Sequence, residues 1–374
     1  MRTLTIFLTL AAAAFAQRHQ AASDIDTQKP EGALLMKAIE ETDAAKKAAL
    51  FDQFCTQFPK DPSAAWGLET LQGIYIKAGQ FDKIIAAGER LLAVDPDDPE
   101  AALQNLKAAE GLKDLEAIRK WSGVASANAR KMASAPQPVN AADVETWKSD
   151  VSYAKQVDQY SEYSLFRVAV ESRDPKTVIE FGEALEIRNP NSQYMAQTEI
   201  AMFAAYRQSG ATDKAVALAE KVLATDQSNE EMLLIVAHAY SNKKQDPDKI
   251  HLYTAKAAEI MAARPAPAGV SAADWEKHQK DVVGIARYMN GRLYYNEKKW
   301  ADTDRELRVA LPLVDTNPAI KAEVLYYLGF ANFTLQKPQE AANFYKACAA
   351  LPGPFQAQAA KNLQAVKSQY TGIK

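Results

Sequence analysis

Apolar residues recur along this chain at steps of three and four, and short breaking segments interrupt them at similar intervals. The clearest stretch is Ala322 to Pro352. Leu325, Leu328 and Gly329 share one helix face, with Phe333 a turn further on. Gln336-Lys337-Pro338 then breaks the run, and Ala341, Phe344, Tyr345 and Cys348 take up the period again. Apolar positions at i, i+3 and i+4 on both sides of a short break predict two amphipathic helices folded into a hairpin. Gly329 and Ala341 leave room for the two helices to lie close. Ala65 to Asp98, Ala196 to Asn229, the segment from Glu230, and Arg287 to Pro312 have the same layout. Weaker units surround Leu103 to Val124 and Phe166 to Pro190.

The chain also copies itself at a longer spacing. Tyr75, Gly79, Asp82, Lys83, Asp95 and Glu100 recur as Tyr206, Gly210, Asp213, Lys214, Asp226 and Glu231, each pair 131 positions apart. Ala141-Ala142-Asp143 recurs as Ala272-Ala273-Asp274 at the same offset. Both of these follow a Pro-x-Pro element, at Pro136 and Pro265. Proline stops the preceding helix, and Asn140 or Ser271 can then cap the next one. No glycine or proline lies between Asn140 and Asp174, which predicts an overlong helix near 140–172, with a second near 271–297. The expected building block is therefore two ordinary hairpins followed by one with a long first helix. Such an array offers a surface, and its class of work is to hold a partner.

The short unit resembles the tetratricopeptide repeat, whose pattern of about 34 residues runs W/L-x2-L-G-x2-Y, A-x3-F and a terminal Pro. Met202, Tyr206, Gly210, Ala215, Ala219 and Val222 occupy signature positions, as do Gly291, Tyr294, Trp300, Leu307 and Ala310. Phe203 stands where that family prefers glycine. The resemblance covers most of residues 33–370. It implies an all-α, right-handed superhelix of antiparallel hairpins whose first helices line a concave groove. Matching positions place Arg207, His238, Asn242, Arg292, Tyr295, Asn296 and Phe330 on that groove as candidate partner-binding residues, with Gln208, Tyr326 and Thr334 at further matching positions. The expected blocks are hairpins over 33–135, a second block over 136–264, C-terminal hairpins over 265–370 and a tail at 371–374.

The first sixteen residues have a different character. Arg2 precedes an apolar, alanine-rich run from Leu4 to Phe15, and Ala14-Phe15-Ala16 is an A-x-A site. This pattern reads as a secretory signal cut near Ala16, followed by a flexible segment over 17–32. The run is shorter than the roughly 20 residues that span a bilayer. The expected location is therefore exported, periplasmic or secreted, with no integral membrane segment after cleavage. Net charge is −3 and there is no basic stripe, which argues against nucleic acid as a partner. Cys55 and Cys348, near opposite ends of the array, are expected to be buried free thiols.

The sequence carries little catalytic chemistry. His19, His238, His251 and His278 are the only imidazoles, with His19 expected in a disordered start and His251 on a surface helix. No nucleophile motif, phosphate loop or C-x2-C pair occurs, and no catalytic residue, cofactor or metal is expected. Asp95-Pro96-Asp97-Asp98-Pro99-Glu100 reads as a capped turn between hairpins and not as a calcium loop. The leading expectation is a non-catalytic scaffold for a protein or peptide in the bacterial cell envelope. The alternatives are an assembly factor docked on an outer-membrane or peptidoglycan machine, and a glycan-binding protein or enzyme using the aromatic C-terminal groove. Saturable quenching near Trp300 by envelope glycans distinguishes that last class.

Overall fold

The computed structural model describes residues 18–370, and every regular element among them is helical. The signal and the 371–374 tail lie outside the described residues. The chain forms two compact units that meet in sequence at Gly210 and Ala211. The first holds α1 (Pro30–Glu40), α2 (Ala44–Gln57), α3 (Ala64–Lys77), α4 (Phe81–Val94), α5 (Pro99–Leu112), α6 (Leu115–Ala133), α7 (Val144–Glu171), α8 (Pro175–Arg188) and α9 (Met195–Gln208). The second holds α10 (Thr212–Leu223), α11 (Glu230–Lys243), α12 (Pro247–Ala263), α13 (Ala272–Asn296), α14 (Trp300–Ala310), α15 (Pro318–Thr334), α16 (Pro338–Ala349) and α17 (Gln356–Gln369).

The helix ends follow from local chemistry. Asp43, Asp98, Asp114, Asp174, Asn229, Asp246, Ser271 and Asn317 each accept a hydrogen bond from a backbone N–H of the first turn they cap. Proline opens α5, α8, α12 and α15, where its missing N–H has no helical acceptor to lose. Several turns share one backbone device, a left-handed residue just past the end of a helix: Gly79 (φ +64°), Lys113 (+57°), Gly210 (+73°) and Lys244 (+54°). Lys113 and Lys244 stand at the same 131-residue offset as the two glycines. The long repeat is thus present in the backbone as well as in the residue pattern.

Helices α7 (28 residues) and α13 (25 residues) are the longest described. A short 3-10 turn at Ala141–Asp143, capped by Asn140, leads into α7. The starts of both long helices are pinned alike. The Trp147 indole donates to the Ala135 carbonyl at 2.9 Å, and the Trp275 indole to that of Arg264 at 3.3 Å. Each indole takes up a carbonyl just past the end of the preceding helix, which has no partner within its own helix.

Cores form wherever successive helices meet. Phe51, Phe54, Leu68, Leu71 and Leu91 centre one cluster in the first unit, and Leu106, Leu165, Phe181 and Leu185 another. Leu307, Val324 and Leu328, then Leu325, Tyr345 and Cys348, fill the second unit. Cys55 and Cys348 are buried free thiols in different units. Burial pushes each pKa up to about 11, which keeps both in the unreactive thiol form.

Residues 17–32 were expected to be flexible, but the described part of this segment is held along its length. The backbone N–H groups of Arg18 and His19 donate to the two oxygens of Glu69 at 2.8 and 3.0 Å. That of Ala22 donates to Ser63 Oγ at 3.0 Å, and Ile25 packs on the α2–α3 cluster. Buried polar side chains on and before α3 satisfy an extended backbone that would otherwise need water.

Gly73 tests whether helix propensity operates without packing. It lies inside α3, and a Cβ there would meet nothing within 4 Å. Gly73→Ala should stabilise the first unit by about 1 kcal/mol, read as a rise of about 2–4 °C in thermal unfolding.

Candidate functional site

In the second unit α11, α13 and α15 each open a hairpin, α13 packs on both α11 and α15, and α15 packs on α17. Stacked first helices give that unit a continuous face, and an aromatic patch forms at its C-terminal end. Tyr295 from α13 lies over Tyr327 of α15 with ring centres 4.0 Å apart and planes 24° from parallel. Trp300, which opens α14, meets Tyr295 edge-on at 5.6 Å and Phe330 of α15 at 5.3 Å. Phe330 closes that triangle against Tyr295 at 5.5 Å. Phe355, just before α17, extends the patch to Tyr326 at 5.0 Å and Tyr327 at 6.1 Å. All six rings are partly exposed. Such ring pairs contribute about 0.5–1.5 kcal/mol each beyond their buried area, so the patch is held in place before any partner arrives.

Beside the rings sits a small apolar cleft of about 110 Å³, lined by Phe330, Phe333, Tyr345, Asn362, Ala365 and Val366. On the other flank, Glu323 of α15 accepts from the Tyr288 hydroxyl at 2.8 Å and pairs with Arg292 at 3.4 Å. Tyr327 also bonds Glu323, and burial followed by that carboxylate raises the Tyr327 pKa well above its usual value. Burial and the same carboxylate push Tyr288 up to about 12. Arg292 is therefore part of a paired network and not an isolated groove cation.

The structure brings some expected groove residues together and separates others. Tyr295 and Phe330 are in contact, and Arg292 joins them through Glu323 and Tyr327. Asn296 is exposed at the end of α13. His238 and Asn242 lie on α11, bonded to each other across one helical turn at 3.4 Å. Arg207 belongs to the first unit, on α9, where its guanidinium lies 5.6 Å from the Phe203 ring. His251, expected on a surface helix, is instead packed. Its ring stacks on Tyr294 at 4.1 Å, and its nitrogens contact Asn290 and Glu297.

Tyr326 falls at a position matching the groove, whereas Trp300, Tyr327 and Phe355 complete the patch from positions that this match does not mark. Their signal in the sequence was the frequency of aromatic residues in this part of the chain. A wider, open depression of about 610 Å³ lies between α4 and α6, but its charges include the Lys120–Glu89 pair at 2.7 Å. Among the described residues, one group of side chains is spaced to share a cation: His19, Asp95 and Asp98.

No family model and no curated protein matches the chain. Among solved structures, it is similar to the APC/C hetero-tetramer Cut9–Hcn1, at 14% identity and a TM-score of 0.34 over 92% of this chain. That match spans 57% of the other chain's length. Yeast Tom70 follows at 11% identity and a TM-score of 0.23, covering 92% of this chain and 97% of that one. The TPR domain of P58(IPK) matches at 12% and 0.25, covering 90% and 96%. The chain's own paired helices, left-handed turns and stacked first helices make it an all-α, tetratricopeptide-like helical repeat.

Proposed function

We propose that this protein is a scaffold that binds a protein or peptide segment through the first-helix face of its second unit, without catalysis. The observation that carries this reading is the aromatic patch of Tyr295, Trp300, Tyr327 and Phe330 beside the 110 Å³ cleft. Pockets for small molecules usually measure about 300–1,000 Å³. A cleft of 110 Å³ is too small for a sugar ring or a cofactor, yet it suits one aliphatic side chain. Partly exposed aromatic rings, already fixed by one another, are the kind of anchor that dominates protein interfaces. The exposed amides of Asn242 and Asn296 offer partners for a peptide backbone.

The first sixteen residues support export, and no helix among the described residues is long and apolar enough to cross a membrane. We therefore place the scaffold in the bacterial cell envelope, cut near Ala16 and periplasmic or secreted. A role as an assembly factor on an envelope machine is one form of the same reading.

Peptides selected for binding from a random display library provide the test. Tyr295→Ala and Phe330→Ala should each weaken the selected peptides by about 30-fold, the effect of losing a 2 kcal/mol anchor. Asn343→Ala, at an exposed position on α16, should leave affinity unchanged. Equal binding by all three variants would contradict the placement, and saturation by envelope glycans in place of peptides would favour the glycan reading.

A further inference from the structure

We propose that His19, Asp95 and Asp98, with Glu69 beside them, form a binding site for a divalent transition cation of the zinc type. The fold brings together residues that are far apart in sequence. His19 comes from the N-terminal strap, Glu69 from α3, and Asp95 and Asp98 from the turn between α4 and α5. One imidazole nitrogen and one oxygen from each aspartate all lie within 4.8 Å of one another. His19 Nε2 is 3.2 Å from Asp95 Oδ2, and Nδ1 is 3.9 Å from Asp98 Oδ2.

Two of these atoms point into the cluster unsatisfied. Asp98 is 1% exposed, and its Oδ2 is buried without a hydrogen-bond partner, as is His19 Nδ1. The other Asp98 oxygen caps α5, accepting from the N–H groups of Glu100 at 2.8 Å and Ala101 at 3.2 Å. That fixes where the orphan oxygen points. The turn is held as well, because the Asn128 side chain donates to the carbonyls of Pro96 and Asp98 at 2.9 and 3.1 Å. Glu69 in turn holds the strap by its two backbone N–H groups, so His19 is held over the aspartates.

A proton on the imidazole does not complete this arrangement. The carboxylates of Glu69, Asp95 and Asp98 surround a ring that carries at most one positive charge. The Nδ1 side lies 3.4 Å from Glu69 but off the line of a hydrogen bond, and Asp98 Oδ2 stays unbonded. A buried acceptor left this way loses its hydration without a hydrogen bond in return, which destabilises the fold. A cation bound to nitrogen and oxygen at about 2.0–2.2 Å holds its ligand atoms roughly 3–4 Å apart. One ring nitrogen holds such an ion: Nδ1 lies 3.4 Å from Glu69 Oε2 and 3.9 Å from Asp98 Oδ2, while Nε2 faces Asp95 and orients the ring. An imidazole among carboxylates favours zinc over calcium, which takes oxygen ligands alone. Such an ion would fasten residues 18–26 to α3 and α5.

Calorimetric titration of ZnCl2 into the full chain, dialysed first against EDTA, tests the proposal. Wild type should bind with saturation, and Zn2+ at a hundred times its Kd should raise the unfolding temperature by about 5 °C. His19→Gln and Asp98→Asn should each weaken that binding at least about tenfold, while His238→Gln should leave it unchanged. Circular dichroism checks that each variant is folded. As a second readout, Zn2+ should slow proteolysis between residues 18 and 29 in wild type and not in His19→Gln. Absence of saturable Zn2+ binding in wild type would overturn the proposal, and so would equal binding by folded His19→Gln.

Discussion

Gly329→Trp should destabilise the second unit by about 3 kcal/mol or more, lowering its unfolding temperature by roughly 6–12 °C. Gly329 is buried in the middle of α15, and a Cβ there would stand 2.7 Å from the Tyr345 ring. Tyr345 is 2% exposed and packed into the α15–α16 core, so any shift of its ring disturbs that packing. Its ring also borders Tyr326 at 6.0 Å, so a displaced Tyr345 would disturb the aromatic patch. The indole has to separate α15 from α16 or force Tyr345 off its rotamer. Unchanged unfolding of Gly329→Trp would mean that the close approach of these helices is misplaced.

The second large effect comes from a single methyl group. Gly88→Ala should cost the first unit about 2–4 kcal/mol, whereas the same change at Gly73 should stabilise it. A Cβ at Gly88 would lie 2.2 Å from Asn105 Oδ1 and 2.3 Å from Gln72 Nε2. These two amides are buried at 0% and 2% exposure and bond each other at 3.0 Å. Gln72 also donates toward the carbonyls of Ile84 and Ala101 at 3.3 and 3.4 Å. The methyl both overpacks the α3–α4–α5 junction and separates the pair, leaving polar atoms buried and unbonded. Thermal unfolding of the two alanine variants, side by side, reads the sign of each. Equal shifts would mean that the buried amide network does not form.

The helices were legible because each must bury one face, and that requirement writes a period of three and four into the chain. Gly79 and Gly210 stood out as recurring letters, and their positive φ shows what the recurrence preserves. Lys113 and Lys244 adopt the same turn conformation without a glycine to announce it. Half of the aromatic patch was legible too, since Tyr295, Tyr326 and Phe330 fall at positions matching the groove of the repeat. Their neighbours Tyr327 and Phe355 come from other turns of the array, and no local spacing records a contact between helices. Arg292 reads as a groove cation in sequence because its carboxylate partner, Glu323, lies on the next first helix. His19 was placed in a disordered start for a similar reason. Its partners Glu69 and Asp95 are 50 and 76 residues away. The division after Gly210 had no signal in composition, since the same short repeat continues in the sequence on both sides of it.

The central claim is that the first-helix face of the second unit carries the binding. A photo-crosslinking amino acid placed at Tyr295, and separately at Asn343, tests it most directly in living cells. Position 295 should capture a discrete protein or peptide partner, Phe330→Ala should abolish the capture, and position 343 should capture none. Identical adducts from both positions, or none from 295 in a folded protein, would contradict it.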